Sequence, residues 1–170
     1  MIDFIYEKKK SLDKNTCDII KKTIKKDCCS DIPLNIFFFE NKENDIIIKI
    51  LFEELNTNIN LYFNNLYYKN ILTSIINCVS INNFIISETL VYDEKIYNLL
   101  HVKDKKPICF FIWFIDNCPY EFIIFRNHEI KIESGKLLIF PLDWYSYFTV
   151  NSNIEISIPY VLGFIYINKK

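Results

Sequence analysis

The sequence predicts an α+β fold in which an antiparallel jelly-roll barrel is buttressed by two or three helices near the N-terminus. Short apolar runs of about 4–8 residues, separated by turn residues at nearly even spacing, fill 108–150 and are typical of barrel strands. Two earlier segments carry apolar residues at helical spacing instead. The hydrophobic fraction of 51% excludes a disordered chain, and 15 Phe and 11 Tyr indicate a core built from large rings.

The chain begins with a predicted strand, Met1–Tyr6, and a predicted amphipathic helix. Ser11 or Asp13 is suited to cap that helix, because a short polar side chain can accept a backbone N–H of the first turn. Lysines occupy the solvent face, which favours a hydrated surface over a nucleic-acid patch. The apolar face consists of Cys17, Ile20 and Ile24.

A second strand, Leu34–Phe39, and a longer helix complete the support region, 1–80. The helix is predicted to start at Asn44 or Asp45 and to lay a wide apolar stripe on a sheet. Ile71–Val79 fits either a helix or a strand. The stripe consists of Ile47, Ile50, Leu51, Leu55, Ile59, Tyr62, Phe63 and Leu66.

Eight or nine strands are predicted in all after the helices, and the barrel strands occupy 84–168. With no linker or repeat between the two regions, we expect 1–170 to form a single domain. The predicted strands are Phe84–Tyr92, Ile96–Val102, Ile108–Ile115, Tyr120–Phe125, Glu129–Ile132, Leu137–Phe140, Tyr145–Val150 and Ile154–Ile167.

Composition and charge restrict the partners and the compartment. The net charge of -1 gives no general attraction to nucleic acid or to an anionic membrane. Early charges exclude a signal peptide, and the apolar runs are far shorter than the ~20 residues of a membrane span. The six cysteines lack CxxC spacing, so we expect free buried thiols and a cytoplasmic protein, in a host cell or virion. The chain has no Ala or Gln and a single Arg, as AT-rich viral genomes favour.

The order of these elements resembles the prolyl-4-hydroxylase-like branch of the iron(II)/2-oxoglutarate-dependent oxygenases, particularly small viral and phage members. The resemblance covers nearly the whole chain and implies a double-stranded β-helix. Gly135 fits the turn of one motif, where a positive φ is needed. The segments that carry the likeness are Phe4–Tyr6, Ser11–Ile20, Ile85–Tyr92, Ile112–Asn117, Tyr120–Phe122 and Ile130–Pro141.

The resemblance also implies a metal site that this chain lacks in part. Such enzymes hold iron through two histidines and a carboxylate. His101 stands at the first histidine, but Lys103 stands at the carboxylate, where a cation opposes Fe(II). Asp104 reaches the site only if a bulge turns it to the correct face. Phe148 lies where the second histidine is expected, so we predict no metal, or at most ligation by His101 and Asp104.

The sequence also departs from the family at the implied cosubstrate site. Tyr92 matches the family's tyrosine, but Pro159 stands near the expected Arg or Lys that would bind the distal carboxylate of 2-oxoglutarate. The other histidine, His128, falls in a hairpin turn and is expected to be a surface residue. No cofactor is therefore expected.

The sequence leaves three candidate functions. The first is a catalytically inactive dioxygenase-like protein that has a structural or interaction role in a virus. We expect it to bind a protein partner or to self-associate, and we do not expect it to bind nucleic acid or a membrane. The alternative is an active Fe(II)/2-oxoglutarate-dependent hydroxylase with non-standard ligands. The third is a jelly roll that binds carbohydrate or nucleotide. Under the first, an aromatic set would fill the former pocket or form a binding face, and strand alternation assigns half of these rings to the ordinary core. The set consists of Phe111, Trp113, Tyr145, Tyr147 and Phe148.

Overall fold

The computed structural model describes residues 5–27, 36–40, 46–67, 79–80, 83–89, 102–125, 128–142, 148–150 and 157–167. Within these ranges it contains two helices, α1 (Lys14–Asp27) and α2 (Ile46–Tyr67). The strands are β1 (Tyr6–Lys8), β2 (Ile36–Glu40), β3 (Val79–Ser80), β4 (Asn83–Thr89), β5 (Lys106–Phe114), β6 (Cys118–Phe125), β7 (His128–Ile132), β8 (Leu137–Pro141), β9 (Phe148–Val150) and β10 (Ser157–Ile167).

The strands form two sheets in which every recorded pairing is antiparallel. The larger sheet has seven strands in the order β1-β8-β5-β10-β4-β2, with β3 also paired to β10. The smaller sheet has the order β7-β6-β9. The mixed helix and antiparallel-sheet architecture that the sequence predicts is therefore confirmed. The support region contributes three strands of the larger sheet, β1, β2 and β3, as well as both helices.

Strand alternation gives the larger sheet two buried faces, because successive side chains point to opposite sides. On one side, β5, β8 and β10 pack with α1 and α2 in a helix-side core. On the other side, the same strands pack with β7 in an inter-sheet core. The inter-sheet core consists of Phe110, Ile112, Phe114, Ile130, Ile132, Leu138, Phe140, Tyr160, Leu162, Phe164 and Tyr166.

The first helix begins as predicted, with Asp13 as its cap. The Asp13 Oδ1 atom accepts the Thr16 N–H at 2.7 Å, which satisfies a donor that the first turn leaves open. This hydrogen bond holds the pKa of Asp13 below its ordinary value. Cys17 and Ile20 are buried on the sheet side, whereas the side chain of Ile24 lies outside the described residues.

The second helix confirms most of the predicted apolar stripe, but the prediction that Ile50 is buried in it is wrong. Its side chain is 38% exposed, and Ile48 and Phe52 are buried in the core instead. Each residue advances the helix by roughly 100°, so Ile50 points away from the sheet when Ile48 and Phe52 face it.

Neither helix of the described residues is long and apolar enough to cross a lipid bilayer.

The first strand ends later than predicted. Residues 1–4 lie outside the described part, Ile5 precedes the strand, and β1 continues through Glu7 and Lys8 beside β8. Charged residues are accommodated there because the Glu7 carboxylate forms an ion pair with the Lys136 ammonium group at 2.8 Å. The predicted strand Ile96–Val102 and the ambiguous segment Ile71–Val79 fall mainly outside the described residues.

Gly135 fastens the start of α1 to the turn between β7 and β8. Its φ of +77° confirms the predicted positive value. The Gly135 carbonyl accepts the Leu12 N–H at 3.1 Å, and the Gly135 N–H donates to the Phe114 carbonyl at 2.8 Å. A Cβ at this position would overlap the carbonyl oxygen of Leu12, so only glycine allows this close approach.

Candidate functional site

Two of the predicted metal-site residues lie in an exposed turn before β5. The Lys105 N–H donates to the Val102 carbonyl at 3.2 Å, which closes the turn around Lys103 and Asp104. Both side chains are exposed, and Asp104 has a left-handed φ of 67°. Asp104 therefore lies in a turn and not on a strand, and a strand bulge does not determine its direction.

The remaining metal-site and cosubstrate positions are described only in part. His101 and Tyr92 lie outside the described residues, so their predicted positions in the site stay predictions. Phe148 begins β9 and pairs with Phe125 of β6 in the smaller sheet. The side chains of Phe148 and of His128, the first residue of β7, are not described.

Pro159 lies at an irregularity near the start of β10. The register between β10 and β4 shifts between Ser157 and Tyr160, and a bulge accommodates a residue that lacks a backbone N–H. The Pro159 carbonyl accepts the Ile115 N–H at 2.9 Å. The predicted cosubstrate position therefore contributes a backbone acceptor between neighbouring strands and no cationic side chain.

The inter-sheet core is densely packed with rings. The centroids of Phe110 and Phe140 are 5.3 Å apart, and those of Phe110 and Phe164 are 5.7 Å apart. Phe164 also meets Tyr166 edge to face at 6.1 Å. All four rings are at most 1% exposed. Such edge and tilted contacts are favourable aromatic packing, and this part of the core consists of side chains in contact.

Phe111 and Trp113 are two rings of the predicted aromatic set that belong to the ordinary core. Both are fully buried, but they belong to the helix-side core, because β5 alternates and sends Phe110, Ile112 and Phe114 to the other side. Neither of the two residues fills the space between the sheets or forms an exposed binding face. Tyr145 and Tyr147, like the Phe148 ring, lie outside the described side chains.

A hydrogen-bond network surrounds Trp113 on the helix side of the sheet. The Trp113 Nε1–H donates to Ser11 Oγ at 3.1 Å, and the Ser11 hydroxyl donates to Glu54 Oε1 at 2.9 Å. The Asn58 Nδ2 atom also donates to Glu54 Oε1, at 2.9 Å, and the Tyr6 hydroxyl donates to Asn58 Oδ1 at 2.8 Å. Buried polar groups need such partners, so these side chains join β1, α2 and β5 structurally.

Sequence reasoning missed a buried cation, Lys136. Its side chain is 2% exposed, and its ammonium group lies 2.8 Å from Glu7 Oε1 and 2.7 Å from Glu133 Oε2. The ammonium also donates to the Lys131 carbonyl at 2.7 Å. The hydrogen bond from Lys136 holds the pKa of Glu133 below its ordinary value. Three acceptors satisfy all three ammonium donors, so Lys136 is a structural ion and not an open binding group.

The described cysteines confirm the predicted free thiols. Cys17 and Cys109 are buried, Cys118 is half-buried, and none forms a disulfide. Burial raises the pKa of the Cys109 thiol to about 12, and its hydrogen bond with Tyr62 only partly opposes that shift. Burial likewise raises the pKa of Cys17. Both thiols are therefore protonated at neutral pH and are poor nucleophiles.

Comparison with solved structures identifies the fold. The viral collagen prolyl hydroxylase of Paramecium bursaria Chlorella virus-1, in its 2OG complex, superposes with a TM-score of 0.62 at 9% identity, over 96% of each chain. A prolyl-4-hydroxylase of Pseudomonas putida superposes with a TM-score of 0.58 at 7% identity, over 98% of this chain and 93% of that one. This chain has the fold of the 2-oxoglutarate/iron(II) oxygenases.

At these identities the likeness to the oxygenases establishes the fold alone. A prolyl hydroxylase of Trichoplax adhaerens, solved with a hypoxia-inducible-factor peptide, has a TM-score of 0.51 at 6% identity, over 98% of this chain and 84% of that one. No family model and no curated protein matches the sequence.

The described residues do not supply the metal-binding set that this oxygenase fold implies. Within the described ranges, no group of three or more His, Cys, Asp or Glu side chains is placed to hold a metal ion. The side chains that β5, β8 and β10 direct between the sheets are apolar or tyrosine, whereas Fe(II) sites of this type need imidazole and carboxylate. The described donor set therefore does not fit the metal.

Proposed function

We propose that this protein is a catalytically inactive 2-oxoglutarate/Fe(II) dioxygenase-like protein that acts by binding, as a viral structural or interaction protein. The observation that carries the proposal is Lys103, a cation at the position where the resemblance implies a carboxylate ligand. Lys103 and Asp104 share an exposed turn, and neither is held by an inward-facing strand. Pro159 adds a second departure, because it offers no charge to a dianionic cosubstrate.

The proposal includes a double-stranded β-helix. Its support is the order in which consecutive strands enter the two sheets: β5 in the larger, β6 and β7 in the smaller, β8 in the larger, β9 in the smaller and β10 in the larger. Strands that alternate in this way wind two facing sheets around one interior. The packed rings of the inter-sheet core support an interior that serves stability.

A binding role draws support from the outer face of α2. Three large apolar side chains are exposed there: Ile46 is 76% exposed, Ile50 38% and Leu61 45%. At roughly 100° per residue they fall within a sector of about 60°. Aligned apolar side chains are suited to a protein partner or a second copy. A viral origin is supported by the composition and by the likeness to a viral prolyl hydroxylase.

Calorimetry under anaerobic conditions tests the loss of the site. We expect Fe(II) and 2-oxoglutarate, alone or together, to give no saturable heat at micromolar concentration. Micromolar binding, or iron-dependent succinate release after oxygen is admitted that His101→Ala and Asp104→Asn abolish, would establish the hydroxylase with non-standard ligands instead.

A restoring variant tests the alignment of the lost ligands. Lys103→Asp combined with Phe148→His rebuilds the implied two-histidine, one-carboxylate set around His101, so we expect it to gain Fe(II) affinity. Lys106→Asp is the matched control, because it makes the same charge change at an exposed position nearby. If the restored variant binds no more Fe(II) than this control, the alignment of Lys103 and Phe148 with ligand positions is wrong.

A further inference from the structure

A cleft outside the inter-sheet core lies between the start of α1 and two turns of the sheet. It encloses about 700 Å³, which is within the range of roughly 300–1,000 Å³ typical of small-ligand pockets. Its walls come from the β1–α1 connection, from α1, and from the turns that follow β5 and β7. The lining residues are Lys9, Lys10, Leu12, Asp13, Lys14, Asp18, Lys21, Asp116, Asn117, Glu133 and Ser134.

The carboxylates of this cleft are already engaged with the protein. Lys21 lies 3.2 Å from Asp18 Oδ1 and 3.4 Å from Asp116 Oδ2, so one ammonium serves two carboxylates. Asp13 caps α1, and Glu133 is paired with the buried Lys136. Each acidic group therefore has an internal partner that a ligand would have to displace.

Three lysines of the cleft, unlike its carboxylates, have no hydrogen-bond or ion-pair partner among the described residues. Lys9, Lys10 and Lys14 are exposed, and none makes a hydrogen bond or ion pair within the part of the chain that the structure describes. Lys10 has a left-handed φ of 54°, a conformation that a non-glycine residue rarely adopts. The Lys9 charge contributes to the lowered pKa of Glu133. Lys10 and Lys14 are the cations most available to a ligand.

Asn117 adds a neutral donor to the cleft, from the turn that follows β5. Its Oδ1 atom accepts the Ser134 N–H at 2.8 Å, so the two N–H donors of its amide group are not used by that contact. Ser134 is itself fixed, because its hydroxyl donates to the Ile115 carbonyl at 3.0 Å. A neutral amide donor that lines the same cleft as ammonium groups without an internal partner is suited to an oxyanion.

We propose that this cleft binds a single phosphate group, carried by a phosphorylated side chain or by a small phosphomonoester. Ammonium groups of Lys10 and Lys14 would neutralise the dianion, with Lys9 and the Asn117 amide as further donors. The four carboxylates disfavour a continuous polyanion such as nucleic acid, because neighbouring phosphates would meet like charge. This site is separate from the inter-sheet core and does not depend on the proposed loss of catalysis.

The test titrates O-phospho-L-serine, inorganic phosphate and serine into the full chain, followed by NMR of the Asn117 side-chain amide at low salt. We expect saturable shifts with both phosphates at millimolar or lower concentration, weakening as salt rises, and none with serine. Tighter binding of O-phospho-L-serine would point to a phosphorylated residue, and equal binding to the phosphate group alone; both agree with the proposal. Shifts that do not saturate with either phosphate would overturn it.

Two substitutions separate binding from folding. Lys14→Glu places an acid in the first turn of α1, which favours the helix, and Lys10→Gly relieves a left-handed backbone. The double variant should fold at least as well as the parent and bind O-phospho-L-serine at least tenfold more weakly. Lys22→Glu, on α1 but outside the cleft, is the charge control and should change affinity less than twofold. Equal loss in the control and the double variant would show a general charge effect and refute the site.

Asn117→Asp gives an independent result, because it keeps the oxygen that accepts the Ser134 N–H and replaces the amide donor with a negative charge. We expect this variant to fold normally and to lose phosphate binding at neutral pH. Unchanged affinity would remove Asn117 from the site and contradict the proposed geometry.

Discussion

The buried ammonium of Lys136 allows a quantitative test of how the β7–β8 turn is stabilised. Lys136→Met removes the charge and keeps most of the side-chain volume. Glu7 and Glu133 lose their partner, but their side chains are 32% and 45% exposed, so water can solvate them. The Lys131 carbonyl loses its donor. The opposite change, Glu7→Gln with Glu133→Gln, leaves the ammonium in place at 2% exposure without a countercharge.

The two changes should therefore lower the free energy of unfolding by different amounts. For Lys136→Met we expect a loss of about 2 kcal/mol. Most of it comes from the unsatisfied Lys131 carbonyl, at ~1–3 kcal/mol, and little from the partly exposed ion pairs. For the double glutamine variant we expect about 3–5 kcal/mol, because a buried charge without its partner is strongly destabilising. The glutamine oxygens still accept hydrogen bonds, which confines the loss to the charge interaction.

Urea unfolding measures both values. With a slope of roughly 2 kcal/mol per molar urea, Lys136→Met should lower the midpoint by about 1 M and the double variant by about 1.5–2.5 M. Lys49→Met is the control, because Lys49 is 70% exposed and its pair with Glu53 is 4.0 Å long; it should shift the midpoint by less than about 0.25 M. A double variant as stable as Lys136→Met would refute the reasoning.

The same ion pair predicts a pH dependence. Because Lys136 lowers the pKa of Glu133 in the folded state below its ordinary value of 4.5, the contribution of Glu133 is fully present above pH 4.5. It is lost as the pH falls through the lowered pKa. This acid loss should be smaller in Lys136→Met. If the parent protein and Lys136→Met lost the same stability in acid, the loss would arise from other carboxyl groups.

Two further predictions concern the glycine turn and the buried thiols. Gly135→Ala should lower the free energy of unfolding by more than about 2 kcal/mol in urea titration, because alanine is strained at positive φ and would overlap the Leu12 carbonyl; a smaller loss would mean that the α1 connection moves freely. Cys109 should escape iodoacetamide at pH 8 in the native protein, as peptide mapping would report. Because its pKa is raised from 9.0 to about 12, stability should fall as the pH rises above 9, and less so in Cys109→Ala.

Local patterns predicted the helices and most strands, because their signals lie within a few residues. Asp13 caps α1 as expected, and Gly135 takes the positive φ that its turn requires. The predicted end of β1 was wrong, since Glu7 and Lys8 look too polar for a strand but belong to it. The stabilising partner of Glu7 is Lys136, which is distant in the sequence, and no local pattern reveals that contact.

The faces of β5 show why the candidate site was harder to predict. A strand with one buried face alternates apolar and polar residues, but Ile108–Ile115 is apolar throughout, because β5 is covered by helices on one side and by the smaller sheet on the other. Such a run carries no information about which residues face the interior. Phe111 and Phe110 are equivalent in the sequence, and only the packing of α1 and α2 on one face of β5 and of β7 on the other assigns them to different cores.

The cleft was missed for a related reason. Lys9, Lys10 and Lys14 look like a hydrated surface in the sequence, and their significance depends on which neighbouring charges are already paired. Asp18 and Asp116 are distant in the chain but share Lys21, so equal numbers of acids and lysines around the cleft do not mean equal availability. A net charge counted along the chain therefore does not predict the charge that a ligand would meet there.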